Sequence, residues 1–246
     1  MKTKMKNETI AKILQKKNHI LIWGILLVIL IGLGLAIYFF SQNVNKNLNL
    51  GNNLSKKTNQ EIEEYILNIS SYEAEIEVTI ESNKNTTKYK IKQSYVSPNI
   101  EKQVVEEPSN IKGLETIYDG SKLTIQNTKL NLTKVYENYA YLTDHYLWLN
   151  SFIADYQTAK SSGQNSKMYE ENNMLVMEVK LDSENLYISY KKLFIDKTTG
   201  KITKLVVQDK NQKNLVYILY NEIKINSIKK EEILAFQLEE GKSDLY

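Results

Sequence analysis

The run from Ile20 to Phe40, ILIWGILLVILIGLGLAIYFF, holds 21 residues without a charge, and no other stretch constrains the chain as strongly. At 1.5 Å per residue a helix of that length covers about 30 Å, the thickness of a bilayer's hydrocarbon core. A cleavable secretory signal has a shorter apolar region, about 7–15 residues, followed by a small-x-small site. Tyr38-Phe39-Phe40-Ser41 offers no such site, so the sequence predicts an uncleaved signal anchor. Lysines 2, 4, 6, 12, 16 and 17 precede the run, and only Lys46 falls in the 15 residues after it. This asymmetry predicts a single-pass protein with residues 1–19 as a cytoplasmic basic tail and the main domain extracytoplasmic. Trp23 and Tyr38 suit the aromatic belts at the two interfaces. Gly32 and Ala36 form a small-xxx-small pair, a spacing that can pack helices and is also common in spans generally.

The formal net charge of +3 divides unevenly, with +5 in residues 1–19, none in 20–40 and −2 in the remainder. The apparent basicity is therefore a property of the tail, and the exterior domain lacks the basic footprint of a nucleic-acid binder. All 32 basic residues are lysine, so no guanidinium fork is present for planar recognition of phosphate or carboxylate. The absence of cysteine excludes a disulfide framework, a thiolate metal site, a cysteine nucleophile and a lipidated cysteine. With His19 and His145 as the only histidines, a histidine metal cluster is not expected, and no cofactor motif is present.

Residues 41–57, SQNVNKNLNLGNNLSKK, are polar, asparagine-rich and aperiodic, which predicts a flexible linker. Regular structure is expected over 58–246. Thr58-Asn59-Gln60-Glu61 fits a capping box, and Ile62, Tyr65, Ile66 and Ile69 follow as one apolar helical stripe. The period then changes to two, with Ala74, Ile76, Val78 and Ile80 alternating against Glu75, Glu77, Thr79 and Glu81. Further strands are predicted from Tyr89, over 100–106 between the two prolines, and on both sides of an Asp119-Gly120 hairpin. A helix is expected over 144–159, with Tyr146, Leu149, Ile153 and Tyr156 on one face, then strands over 175–181, 186–196, 201–209 and 215–225. The fold class is mainly β (α+β), antiparallel, with a few helices laid on the sheet and one transmembrane helix before it.

No catalytic motif is present: neither P-loop, dinucleotide glycine pattern, HExxH nor GxSxG. His145 has no isolated Ser or Asp at an informative spacing, and the paired glutamates lie among lysines as a solvated surface would. The chain is therefore not expected to be an enzyme. Its most unusual tract is 135–152, VYENYAYLTDHYLWLNSF, where Tyr136, Tyr139, Tyr141, Tyr146, Trp148 and Phe152 concentrate aromatic area. Such a cluster either lines an apolar cavity, anchors a partner, or forms the core between helix and sheet.

Several segments, in this order and spacing, resemble the LolA/LolB family of lipoprotein carriers. They are the strand from Pro98 to Pro108, GLETIYDGSKL at 113–123, LFIDKTTGKITKLVVQD at 193–209, and YNEIKIN at 220–226. The tract from Ile117 through Tyr156 is similar to the clostridial GerS-like germination proteins in particular. The resemblance implies an open antiparallel half-barrel closed by helices over an apolar cavity. For the GerS-like branch it implies no catalysis, but binding to a CwlD-like cortex peptidoglycan amidase during spore formation and germination. The carrier branch implies lipid or lipoprotein binding instead. Carriers of that kind diffuse freely and use an arginine at the lid, whereas this chain has an anchor and no arginine. A third reading, an anti-sigma-like sensor, is opposed by a 19-residue tail too short for a sigma-binding domain.

Overall fold

The computed structural model of the chain describes residues 57–82, 84–140, 146–181 and 188–240. The tail, the predicted span and the linker as far as Lys56 lie outside the described residues. Among the described residues no helix is long and apolar enough to cross a membrane.

The first helix, α1 (Asn59–Leu67), begins as its sequence dictates. The Thr58 hydroxyl accepts from the Glu61 N–H, and the Glu61 carboxylate accepts from the Thr58 N–H at 2.8 Å, so two orphan donors are satisfied reciprocally. Those bonds hold the Glu61 carboxyl below its ordinary pKa. Ile62 and Ile66 are buried on its inner stripe, and the helix ends before Ile69.

Six antiparallel strands follow as a meander: β1 (Ser71–Glu81), β2 (Thr86–Val96), β3 (Ile100–Glu107), β4 (Glu115–Tyr118), β5 (Leu123–Asn127) and β6 (Leu132–Tyr136). Helix α2 (Leu149–Ser161) leads into a second meander of β7 (Ser166–Glu171), β8 (Met174–Lys180), β9 (Tyr190–Asp196), β10 (Ile202–Gln208) and β11 (Asn214–Ile225). Helix α3 (Lys230–Glu240) follows. The two meanders join where β11 pairs with β1, giving one open eleven-stranded sheet in the order β6-β5-β4-β3-β2-β1-β11-β10-β9-β8-β7.

The alternation in β1 sets the two faces. Tyr72, Ala74, Ile76 and Val78 point inward, and the register places Tyr95 and Ile91 of β2 and Tyr220, Ile218 and Val216 of β11 beside them. Helices α1 and α2 cover this inner face, with Phe152 and Leu149 fully buried against Met177, Leu193 and Leu205 of the second meander. The opposite face carries the glutamates and lysines of the alternation, including Lys92 between Glu75 and Glu106 at 3.2 and 3.0 Å. At the β3–β4 end of that outer face, Ile233 of α3 packs on Ile100 and Ile117.

Buried polar contacts fasten the helices. Glu63 of α1 is buried, accepts from the Tyr156 hydroxyl of α2 at 2.8 Å, and pairs with Lys160 at 2.6 Å. Burial, with the Glu63 hydrogen bond and charge added to it, pushes the Tyr156 phenol well above its usual range. From the sheet, buried Lys191 donates to Ser151 Oγ at 2.9 Å and pairs with Asp155 at 2.5 Å.

The expected helix over 144–159 is corrected in its start. Trp148 has an extended backbone (φ −107°, ψ 138°), and α2 begins at Leu149, whose N–H donates to the Tyr72 hydroxyl. Tyr146 therefore precedes the helix. The strand expected over 186–196 is described only from Tyr190 onward, after residues 182–187 that lie outside the described set.

Phe152 fills the space between α2 and the sheet with no exposed surface. Phe152→Ala is expected to cost about 3–5 kcal/mol of unfolding free energy, read as a lower urea midpoint, with Phe152→Leu costing clearly less.

Candidate functional site

The two open edges of the sheet are built from different chemistry. At one end, β7 carries Lys167, Glu170 and Glu171, and Glu170 accepts from Asn59 at 2.7 Å and pairs with Lys197 at 2.5 Å. Charge on an edge strand discourages further pairing. At the other end, every residue of β6 is exposed. Leu130 (59%), Leu132 (41%), Val135 (45%) and Tyr136 (37%) all lie on β6 or the turn before it. Only Leu219 among the other large apolar side chains of the described residues is comparably exposed. Scattered exposed apolar residues need no explanation, but four on one free edge do.

Cross-strand register extends this edge into an aromatic platform. Tyr118 of β4 stands opposite Leu123 of β5, which stands opposite Tyr136 of β6, so the three side chains form a row on the inner face. Tyr139 leans on both tyrosines, 6.3 Å from the Tyr118 ring in an edge-on arrangement and 6.2 Å from the Tyr136 ring. It is held there by its own N–H, which donates to the Ser121 carbonyl at 2.7 Å, and by the Tyr118 hydroxyl, which donates to its carbonyl. Lys134 lies on the same face, its ammonium 5.0 Å from the centre of the Tyr136 ring. Such a cation–π contact leaves the ammonium open to a stronger anionic partner.

The hairpin beneath the platform depends on Asp119. Its carboxylate accepts from the N–H groups of Ser121 and Lys122 at 3.0 and 2.8 Å while Gly120 takes φ +102°. Burial pushes the Asp119 carboxyl up, but these bonds, the Ser121 hydroxyl and the Lys122 charge outweigh it, and the net shift is downward.

Of the six aromatic residues expected to act together, the structure separates two groups. Tyr136 and Tyr139 stand at the β6 edge; Trp148 and Phe152 are buried in the main core, with Tyr146 half-buried against it. Tyr141 lies outside the described residues, as does His145. The edge group recruits residues that sequence reasoning passed over, namely Tyr118, Leu130, Leu132 and Val135. Tyr118 was findable only through register, since it lies 18 residues before Tyr136. Leu132 and Val135 were visible as apolar positions, but nothing local marks a strand as an edge.

Buried Lys191 donates to Ser151 and is paired with Asp155, contacts that tie α2 to β9. Among the described residues no three His, Cys, Asp or Glu side chains converge to hold a metal ion.

These features define a mainly β protein with an open antiparallel sheet, helices fixed on its inner face, and an apolar free edge. The chain belongs to the YdcC-like sporulation protein family, whose model matches residues 17–234. No curated protein matches it in sequence. It is similar to an uncharacterized conserved protein of Thermus thermophilus, at 11% identity and a TM-score of 0.45, over 72% of this chain and 93% of that one. It is similar also to a chain in the complex of the CwlD amidase with the GerS lipoprotein from Clostridioides difficile, at 21% identity and a TM-score of 0.38, over 69% of this chain and 92% of that one. A LolA superfamily protein of Nitrosomonas europaea is similar at 9% identity and a TM-score of 0.37, over 72% of this chain and 97% of that one.

Because the Asp119 carboxyl titrates lower in the folded state, its charge stabilises the hairpin above the unfolded pKa near 3.9, and that contribution fades as pH falls through the folded value. Asp119→Asn is expected to lower stability by up to about 1 kcal/mol at pH 7. The gap between the two proteins should close in urea titrations as pH falls through the folded value.

Proposed function

We propose that this protein is a non-catalytic, membrane-anchored binding protein of a sporulating cell's envelope, which holds a protein partner at the membrane surface through the β6 edge. The observation that carries this reading is the concentration of exposed apolar side chains on one free edge, beside an aromatic platform, while the opposite edge is charged. Partner surfaces are distinguished by aromatic anchors in this way.

Anchoring rests on the uncharged run 20–40 and the +5 tail before it. The family match begins at Lys17 and so includes that run. In this reading residues 1–19 face the cytoplasm, 41–57 form the tether, and the domain from 58 onward works outside. The family supplies the sporulation context. The likeness of 117–156 to GerS-like proteins makes a CwlD-like cortex amidase the first partner to test. Binding of lipid in the sheet receives less support, because Trp148 and Phe152 are packed among core side chains.

A chain without cysteine suits single-cysteine mapping. In intact protoplasts, a membrane-impermeant maleimide is expected to label Lys210→Cys, which lies on the exposed β10–β11 turn, and to spare Asn7→Cys until the membrane is permeabilised. The reverse pattern would overturn the topology. A photo-crosslinking residue in place of Tyr136 is expected to capture an envelope protein in sporulating cells, with an amidase as the first candidate. Cross-links to lipid alone would sink the protein-binding reading.

A further inference from the structure

Deepening the protein-binding reading on which it rests, we propose that β6 is an acceptor edge: an extended segment of the partner adds to it as a twelfth strand. The segment is recognised by an apolar–x–acidic–x–apolar pattern centred opposite Lys134.

The backbone of β6 leaves one side open. The β4–β5 turn closes with the Asp119 N–H donating to the Lys122 carbonyl, and the Ser121 carbonyl accepts from Tyr139 on the β6 side. Peptide groups alternate in direction along an antiparallel ladder, so those of Leu123, Ile125 and Asn127 point towards β6. Their partners across the ladder are Tyr136, Lys134 and Leu132. The N–H and C=O groups of Thr133 and Val135 are thereby turned to the open side, where β6 has no strand beside it among the described residues. An exposed row of this kind is a template for strand addition.

The side chains of β6 set the pattern of the added strand. Leu132, Lys134 and Tyr136 share the inner face, so the residues beside them on an added strand alternate apolar, acidic, apolar. Apolar partners extend the Leu132 and Tyr136 contacts. A carboxylate meets Lys134, whose ammonium rests on the Tyr136 ring and has no ion pair among the described residues. On the outer face Val135 takes one further apolar neighbour. Opposite charges placed directly across a ladder stabilise pairing and like charges oppose it. That rule also bears on a second copy of this chain as the occupant. In the antiparallel register that uses both Thr133 and Val135, Lys134 would face Lys134 of the other copy.

The test uses the full-length chain in nanodiscs and fluorescent nine-residue peptides with the core Leu-Thr-Glu-Val-Phe, compared with the same peptide carrying Lys in place of Glu. The expected result is at least tenfold tighter binding of the Glu peptide, weakened by salt, and reversal of the preference in Lys134→Glu. Thr133→Pro, which removes one outward N–H at a position where an edge strand tolerates proline, is expected to lower binding at least tenfold. Thr133→Val keeps the N–H and is expected to bind as the native chain does. Unchanged circular dichroism of the proline variant shows that its sheet has formed; if the variant is unfolded, the Lys134→Glu exchange decides alone. Equal binding of the two peptides, or a preference that survives Lys134→Glu, would overturn strand addition. So would a stable dimer of the chain abolished by Thr133→Pro, which assigns the edge to a second copy. Protein capture at Tyr136 alongside equal peptide binding would leave the binding reading standing while removing the strand model.

Discussion

The pairing of β1 with β11 is the constraint on which the rest of the structure depends. It joins the two meanders into one sheet, and it carries the centre of the core: Tyr72, Ile76 and Val78 from one strand, Val216, Ile218 and Tyr220 from the other. Slippage by one residue would turn Glu73, Glu75 and Glu77 inward and the apolar set outward. The register is pinned at both levels where it could slip. A bulge sets Glu75 and Ile76 against Glu222 and Tyr220, absorbing Asn221. Below it, the Asn226 side chain accepts from Ser70 and Ser71, and its N–H donates to the Ser71 carbonyl at 2.7 Å.

Once that pairing is fixed, each face has one task. The inner face accepts α1 and α2, and these are tied down by charges that burial makes specific: Glu63 to Tyr156 and Lys160, Lys191 to Asp155 and Ser151. Removing one partner from such a set would strand a polar group away from water, which costs more than losing a surface pair. The outer face carries rows of glutamate and lysine, with apolar patches under Ile233 and at Val176 and Val206. The lateral edges are where the molecule is asymmetric, because β7 carries Lys167, Glu170 and Glu171 while β6 carries exposed apolar side chains around the single charge of Lys134.

Much of this was legible in the chain itself. The capping box at Thr58, the alternation of β1, the strand between the prolines and the Asp119-Gly120 hairpin are local signals, and each appears where its residues place it. The strand β7 was not legible. Its SKMYEE sequence alternates weakly, and the turn after it uses Asn172 and Asn173 at φ 49° and 65°, a left-handed pair without the glycine that usually marks it. Helix α3 lacks a 3.6-residue stripe, since Ile233 and Leu234 are adjacent and the helix docks through a few contacts. The aromatic tract 135–152 was conspicuous, but its division between edge and core is decided by long-range register, which no local pattern encodes.

The β1–β11 pairing also sets an order in time. A chain is made from its N-terminus, and among the described residues β11 is the last strand to be synthesised. The β1–β6 meander can form hairpin by hairpin as it emerges, because its pairings are close in sequence. The core cannot close until β11 has been produced, since Tyr72 and Ile76 wait for Tyr220 and Ile218. Non-local pairing of this kind slows folding and leaves unfinished surfaces open. The β6 edge can thus exist before the core that supports it is complete, and an early-arriving partner strand would act on a nascent chain as well as a finished one.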